Sequence, residues 1–274
     1  MSGFDLDGYL ARIGLAARPT HDAAGLARLQ LAHRLAIPFE NLDVILGRGI
    51  AIDGGAVFAK LVTARRGGYC FEHNRLFLDA LAALGFAARP LLARVWLGVS
   101  DVPPRAHTLA LVTLDDGDWI ADAGFGGSYA PPLPLAEAIE VAAPDDARFR
   151  LARDAQHGWM AFRDGNPATT DGRDTAAGWR PQYSFTLDAV WDADLAMGSH
   201  WAASAPASPM RRRPIVSIIL SPGFATLTGT HFRCWADGAE TTETIADLDA
   251  YRMRLSTMFG IDLSQEEAAT VFSD

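Results

Sequence analysis

The sequence has only two cysteines, Cys70 and Cys234, in 274 residues. Two are too few for a disulfide scaffold, and a chain of this length can bury a core without one. It also lacks an excess of basic charge. Lys and Arg total 24 against 33 Asp and Glu, for a formal net charge of −9. That argues against general nucleic-acid binding, which needs a basic footprint. Long hydrophobic runs are missing too. Stretches such as Ile215 to Leu220 fall far short of the ~20 apolar residues that cross a bilayer. The N-terminus, Met1-Ser2-Gly3-Phe4-Asp5-Leu6-Asp7, is acidic and carries no secretory h-region. No internal repeat is visible. Hydrophobic residues still make up 49% of the chain, which is too many for disorder to be the default. The expectation is a soluble cytoplasmic globular protein with no nucleic-acid or membrane partner.

One stretch organises the rest: Arg66-Gly67-Gly68-Tyr69-Cys70-Phe71-Glu72-His73-Asn74. Its two glycines permit a sharp turn. After Asn74 the residues Leu76, Phe77, Ala80, Leu81 and Leu84 recur at helical spacing, and Gly85 follows as a stop. Cys70 therefore falls at the start of a helix, where unpaired N–H groups carry partial positive charge and favour a sulfur anion. Arg65 and Arg66 add positive charge nearby. Cys70 is thus a candidate nucleophile.

Residues 1–86 read as helical. Leu6, Tyr9, Leu10 and Ile13 share one face, Asp22 caps a second helix that ends before Pro38, and Asp53 leads into a third. From residue 87 the period shortens. Arg89 to Leu97 and His107 to Leu114 read as strands, and Asp116-Gly117 marks a hairpin into Trp119-Ile120-Ala121-Asp122. Further alternation spans Phe149 to Phe162 and Tyr183 to Leu187, as expected of an antiparallel sheet or barrel. Residues 188–214 read as a connector with a short helix at Asp192 to Met197. Strands are expected at Ile215 to Leu220 and Phe224 to Trp235, and a helix from Thr244 to Phe259. Ser264 and Glu267 form a capping-box pattern for a last helix.

A nucleophilic cysteine needs a base, and the base needs an orienting group. With Asp116-Gly117 as a two-residue loop, Asp122 pairs opposite Leu111. His107 and Asp122 then point to one face but stand ~13 Å apart at ~3.3 Å per residue. His73, one helical turn after Cys70, is the competing base. Cys70-x-x-His73 with His231-x-x-Cys234 has the local spacing of a zinc set, but the mixed order is atypical. Gly124-Phe125-Gly126-Gly127 is neither a P-loop nor a dinucleotide fingerprint. Its aromatic, set between glycines, suits a pocket lining. Arg211-Arg212-Arg213 is the only basic run, either a solvated loop or a phosphate contact.

These segments together resemble the arylamine N-acetyltransferases. Arg66 to Asn74 matches the nucleophile segment of that family, and Ile37-Pro38-Phe39-Glu40-Asn41-Leu42-Asp43 matches a second signature. Pro104-Arg105-Ala106-His107 matches the histidine segment and Asp122-Ala123-Gly124-Phe125-Gly126-Gly127 the aspartate segment. The resemblance implies an α+β multidomain fold with a cysteine-protease-like triad of Cys70, His107 and Asp122. It implies a helical N-terminal domain (1–86), a central antiparallel β-barrel (87–190) and a C-terminal α/β lid reached through a connector (191–274). It further implies acetyl-CoA as co-substrate without a metal, an aromatic amine or hydrazine as acceptor, and a monomer or homodimer. Phe39 and Phe125 correspond to aromatics of the acceptor pocket, and Gly126 and Gly127 to the CoA-contacting loop. Met210 takes a third pocket position where the family often has an aromatic. The same architecture also serves amide synthases that close macrolactams, and the same triad serves hydrolases.

Overall fold

The computed structural model describes residues 3–173 and 176–272. The described residues up to 86 hold five α-helices, α1 (Leu6–Arg12), α2 (Ala23–Ala36), α3 (Leu42–Ile45), α4 (Gly54–Phe58), continued by a π-helical turn (Ala59–Thr63), and α5 (Cys70–Ala83), with the two-residue strand β1 (Phe39–Glu40) between α2 and α3. Three of them, α1, α2 and α4, are capped at the N-terminus by an acid. Asp5 accepts the N–H of Gly8 at 2.9 Å, Asp22 that of Gly25 at 2.7 Å and Asp53 that of Ala56 at 2.9 Å. Each satisfies a donor that has no partner within its helix. The chain leaves α2 at Ile37 in an extended conformation, as the following Pro38 requires.

Next come β2 (Ala87–Val95), β3 (His107–Leu114), β4 (Gly117–Ala121), β5 (Leu133–Pro134), β6 (Val141–Ala142), β7 (Arg148–Asp154), β8 (Gly158–Asp164) and β9 (Arg180–Phe185). They form one antiparallel sheet in the order β5-β4-β3-β2-β9-β8-β7-β6. A bridge from Glu137 to Leu151 brings its ends together, so the sheet is a nearly closed barrel. β3 is buried on both faces. Ala110, Val112 and Leu114 pack on Leu76, Phe77, Ala80 and Leu81 of α5. Leu109 and Leu111 turn into the barrel with Phe149, Leu151, Tyr183 and Phe185. This two-sided burial explains the near-continuous apolar run in β3. It also seats α5, and with it Cys70, against the strand that begins at His107.

The C-terminal part comprises α6 (Asp192–Ser204), β10 (Ile215–Leu220), β11 (Gly223–Thr228), β12 (His231–Ala236), β13 (Ala239–Thr244), α7 (Leu248–Phe259) and α8 (Gln265–Val271). The sheet order is β1-β10-β11-β12-β13, with Phe39 opposite Ser217. The N-terminal segment thus supplies the edge strand of the C-terminal sheet. Three expectations need correction. The run from Phe224 to Trp235 is two strands joined at Gly229-Thr230. Thr244 ends a strand, and the helix starts only at Leu248, where Asp247 caps the N–H of Ala250 at 2.8 Å. The connector helix runs on to Ser204 because Leu195, Gly198, Ser199 and Ala202 bury one side of it.

Phe77 is fully buried between the helices and β3. Phe77→Ala is expected to cost about 3–5 kcal/mol in urea denaturation. Met253→Ala, at a side chain that is 65% exposed, should stay within about 0.5 kcal/mol of the parent.

Candidate active site

Cys70 is the first residue of α5 and is 8% exposed. The turn that presents it is pinned from behind. Glu72 accepts the Tyr69 N–H at 3.0 Å, and Lys60 joins Glu72 at 2.8 Å to Asp43 at 2.7 Å. Arg66 bonds Glu40 at 2.7 Å and Asp43 at 3.4 Å. Arg66 was expected to lend its charge to the nucleophile, but these carboxylates neutralise it. Cys70 keeps its place at the positive end of α5. Burial pushes the Glu72 carboxyl up to about 7, with Lys60 pulling it back.

The hairpin register differs from the sequence expectation, and the difference builds the site. Leu114 pairs with Gly117 and Leu111 with Ile120, so the loop is Asp115-Asp116 and Gly117 opens β4. Glycine suits the position after a type I turn as well as the turn itself. The shift of two residues halves the expected offset between His107 and Asp122 and keeps both on one face. His107 Nε2 then donates to Asp122 Oδ2 at 2.6 Å. Cys70 is near enough to the ring to help raise it, and Nδ1 is the ring nitrogen that Asp122 leaves free. The sulfur is also 3.8 Å from the carbonyl of Ala106. The ring is wedged between Phe125 and Tyr183, with centroids 5.5 and 5.6 Å away.

Asp122 is almost sealed from water, and its second oxygen is equally occupied. Oδ1 accepts Asn74 Nδ2 at 3.0 Å and the Gly124 N–H at 2.9 Å, while Gln30 Oε1 accepts the Asp122 N–H at 2.8 Å. Asn74 also donates to Thr108 O at 2.6 Å and accepts from Ala123 N at 3.1 Å. Asn74 and Gln30 were not singled out in the sequence. The available signal was that Asn74 lies four residues after Cys70, on the same flank of α5. Gly124 is required by close approach: a Cβ there would stand 2.7 Å from Cys70 O and 2.5 Å from Asn74 Nδ2.

Burial alone would lower His107. The adjacent Asp122 charge, its hydrogen bond and the contacts with Cys70 outweigh burial and hold the ring above the ordinary imidazole range. For Asp122, burial works upward, but His107 and the donors from Asn74 and Gly124 hold it below the usual carboxylate range. Arg34, one turn after Gln30 on α2, is 1% exposed, and its terminal nitrogens have no hydrogen-bond partner among the described residues. Burial lowers it to about 10, and Asp122 partly offsets that.

His73 is not positioned as the base. Its Nε2 bonds Pro38 O at 3.1 Å and its Nδ1 bonds His33 Nε2 at 2.8 Å. With both nitrogens engaged it is no metal ligand either. Among the described residues no cluster of three or more His, Cys, Asp or Glu is arranged for a metal. Phe39 and Met210 pack with Cys70 in one apolar cluster. Gly126 lies against the Phe39 ring, 2.7 Å from it by an added Cβ, and Phe125 covers His107. Arg211 lies elsewhere. With Arg48, Ile50, Ile52 and His200 it lines a groove of about 530 Å³ between the segment after α3 and α6. The guanidinium beside the glycine loop is Arg173, 3.6 Å from a Cβ placed on Gly127. Nothing in the sequence marked Arg173, because turn residues separate it from every motif.

Gly124→Ala should force the Asp122 loop off α5 and cost about 1–3 kcal/mol of stability, read by urea denaturation. A pH dependence follows from the paired histidines. Burial holds His73 down to about 3 and His33 well below its ordinary value. Between about pH 3 and 6.5 the unfolded chain therefore binds protons that the native chain refuses, and this pair makes stability rise with pH. Glu72, raised to about 7, contributes with the opposite sign between its ordinary 4.5 and 7. His73→Gln should flatten the loss of stability between pH 6.5 and pH 4, measured as urea midpoints.

A family model described as N-acetyltransferase matches residues 22–268. The chain is 36% identical over 263 residues to the arylamine N-acetyltransferase / N-hydroxyarylamine O-acetyltransferase of Salmonella typhimurium, covering 94% of this chain and 89% of that protein. The solved structure of a Salmonella typhimurium arylamine N-acetyltransferase superimposes with a TM-score of 0.88 at 35% identity, over 97% of each chain. The Mycobacterium marinum arylamine N-acetyltransferase in complex with CoA superimposes with a TM-score of 0.86 at 28% identity, over 97% of this chain and 98% of that one. With that likeness along nearly its whole length, the chain belongs to the arylamine N-acetyltransferase family of acyltransferases.

Proposed function

We propose that the protein transfers an acetyl group from acetyl-CoA to arylamines and arylhydrazines in two steps through an acetyl-Cys70 intermediate. The observation that carries this reading is the His107 imidazole, fixed at Nε2 by Asp122 with Nδ1 left free and Cys70 beside it. His107 Nδ1 takes the thiol proton, and the Cys70 thiolate attacks the thioester carbonyl. The carbonyl carbon bonds to Cys70, its bond to the CoA sulfur breaks, and His107 returns the proton to that leaving sulfur. The amine then attacks acetyl-Cys70, gives a proton to His107 and displaces the Cys70 sulfur, which recovers the proton. Asp122 holds the imidazole orientation and stabilises its charged form throughout. N–H groups at the first turn of α5 suit the oxyanion.

The surroundings of the triad support the two substrates. The Gly126-Gly127 backbone, beside the Arg173–Asp171 ion pair, fits a polyanionic donor such as the pyrophosphate of CoA through its N–H groups. Phe39, Phe125 and Met210 around Cys70 and His107 give an aromatic acceptor apolar contact. The softer Met210 favours a pocket that adapts to acceptors of different shape. We also propose that the parts 1–86, 87–190 and 191–274 act as domains, the last as a lid joined to the first through β1.

The test is an intact-mass measurement after incubation with acetyl-CoA alone. The protein should gain one acetyl group and release CoA, and Cys70→Ala and His107→Ala should gain none while His73→Gln still does. Addition of an arylamine should remove the acetyl group and yield the N-acetyl product. An unchanged mass would overturn the reading. An acetyl-enzyme that only water discharges would point to hydrolysis instead.

A further inference from the structure

Three buried groups outside the triad form a chain of hydrogen bonds with no route to water. Tyr9, His33 and His73 each have no exposed surface. Tyr9 Oη lies 3.0 Å from His33 Nδ1, His33 Nε2 lies 2.8 Å from His73 Nδ1, and His73 Nε2 lies 3.1 Å from Pro38 O. The last acceptor fixes every proton in the chain. A carbonyl can only accept, so His73 Nε2 donates and its Nδ1 carries a lone pair. His33 Nε2 must then donate to that lone pair, and the Tyr9 hydroxyl donates to His33 Nδ1. Both rings are neutral, which is the form that burial favours.

The chain ends on the segment that carries Phe39. Among the described residues, the one further donor to Pro38 O besides His73 is the Gly68 N–H, at a long 3.4 Å. The His73 and Phe39 rings lie nearly parallel, 13° apart with centroids at 6.3 Å, and the Gly126 backbone bounds the Phe39 ring as well. Phe39 itself packs in the cluster that holds Cys70 and Met210. We infer that His73 is a positioning residue for the acceptor: through Pro38 it fixes where Phe39 stands, and so sets how tightly an aromatic acceptor is held against acetyl-Cys70. His33 and Tyr9 lock His73 in the one tautomer that can do this. The inference rests on the proposed two-step transfer and on Phe39 as an acceptor contact. It assigns His73 no part in the acylation of Cys70, because neither of its nitrogens is free to reach the sulfur.

The experiment separates the two half-reactions. The enzyme is first acetylated with acetyl-CoA, and the rate of acylation is recorded. The acetyl-enzyme is then discharged in single turnovers over a range of arylamine concentrations, which gives a half-saturating concentration and a maximal rate. His73→Leu removes the donor to Pro38 O and strands the His33 N–H. It should raise the half-saturating concentration about tenfold for a bulky arylamine and leave acylation within about twofold of the parent. His73→Gln keeps an N–H donor and should restore most of the loss. Tyr9→Phe, which deletes one hydroxyl, should shift the same constant by about twofold. An unchanged half-saturating concentration in His73→Leu overturns the inference, and so does an equal loss in both half-reactions. If His73→Leu does not fold, Tyr9→Phe decides in the same way. A parent protein that forms no acetyl-enzyme defeats the proposed function itself, a distinct result.

Discussion

The site depends on one buried carboxylate. Asp122 is 4% exposed, and a charge so sheltered survives only where donors replace the lost water. Asn74, the Gly124 N–H and His107 supply them. Each donor comes from a different piece of chain, so holding the charge also holds α5, the loop after β4 and the start of β3 together. The consequence for chemistry is direct. A ring bonded at Nε2 to an ionised partner keeps Nδ1 free, and its protonated form is stabilised in place.

The same constraint explains features that look unrelated. Gly124 has no side chain because the Asp122 loop lies on the Cys70 backbone. The Glu40, Asp43, Lys60, Arg66 and Glu72 network keeps the turn before Cys70 fixed from the opposite side. β1 belongs to a sheet otherwise built from the C-terminal quarter, so the segment bearing Phe39 is tied to both ends of the chain. Cys70, His107 and Phe39 therefore share a frame in which a displacement of one moves the others.

Much of this was legible in the residues. Helical spacing after Asn74 gave α5, and Asp22 and Asp53 marked the starts of two further helices. β3 emerged from its apolar run, and parity put His107 and Asp122 on one face. Their contact was not legible, because Asp115-Asp116-Gly117 permits more than one two-residue loop. A register error of two residues preserves the face and doubles the offset. Arg66 was misread for a different reason. Its carboxylate partners Glu40 and Asp43 lie far back in the sequence, and burial of an ion pair leaves no local pattern. Arg173 and the His33–His73 pair were hidden in the same way, since only the fold brings them to the glycine loop and to Pro38.

Cys234 is a second free thiol, partly buried in β12 and raised by its burial, so the molecule carries its own reference. The most direct measurement is the rate of iodoacetamide alkylation of each cysteine at pH 6, resolved by peptide mass mapping. An imidazole delivered to the sulfur by Asp122 predicts Cys70 reacting at least ~100-fold faster than Cys234, with that advantage lost in Asp122→Asn. Equal rates at the two cysteines, or a Cys70 rate indifferent to Asp122→Asn, would contradict the account.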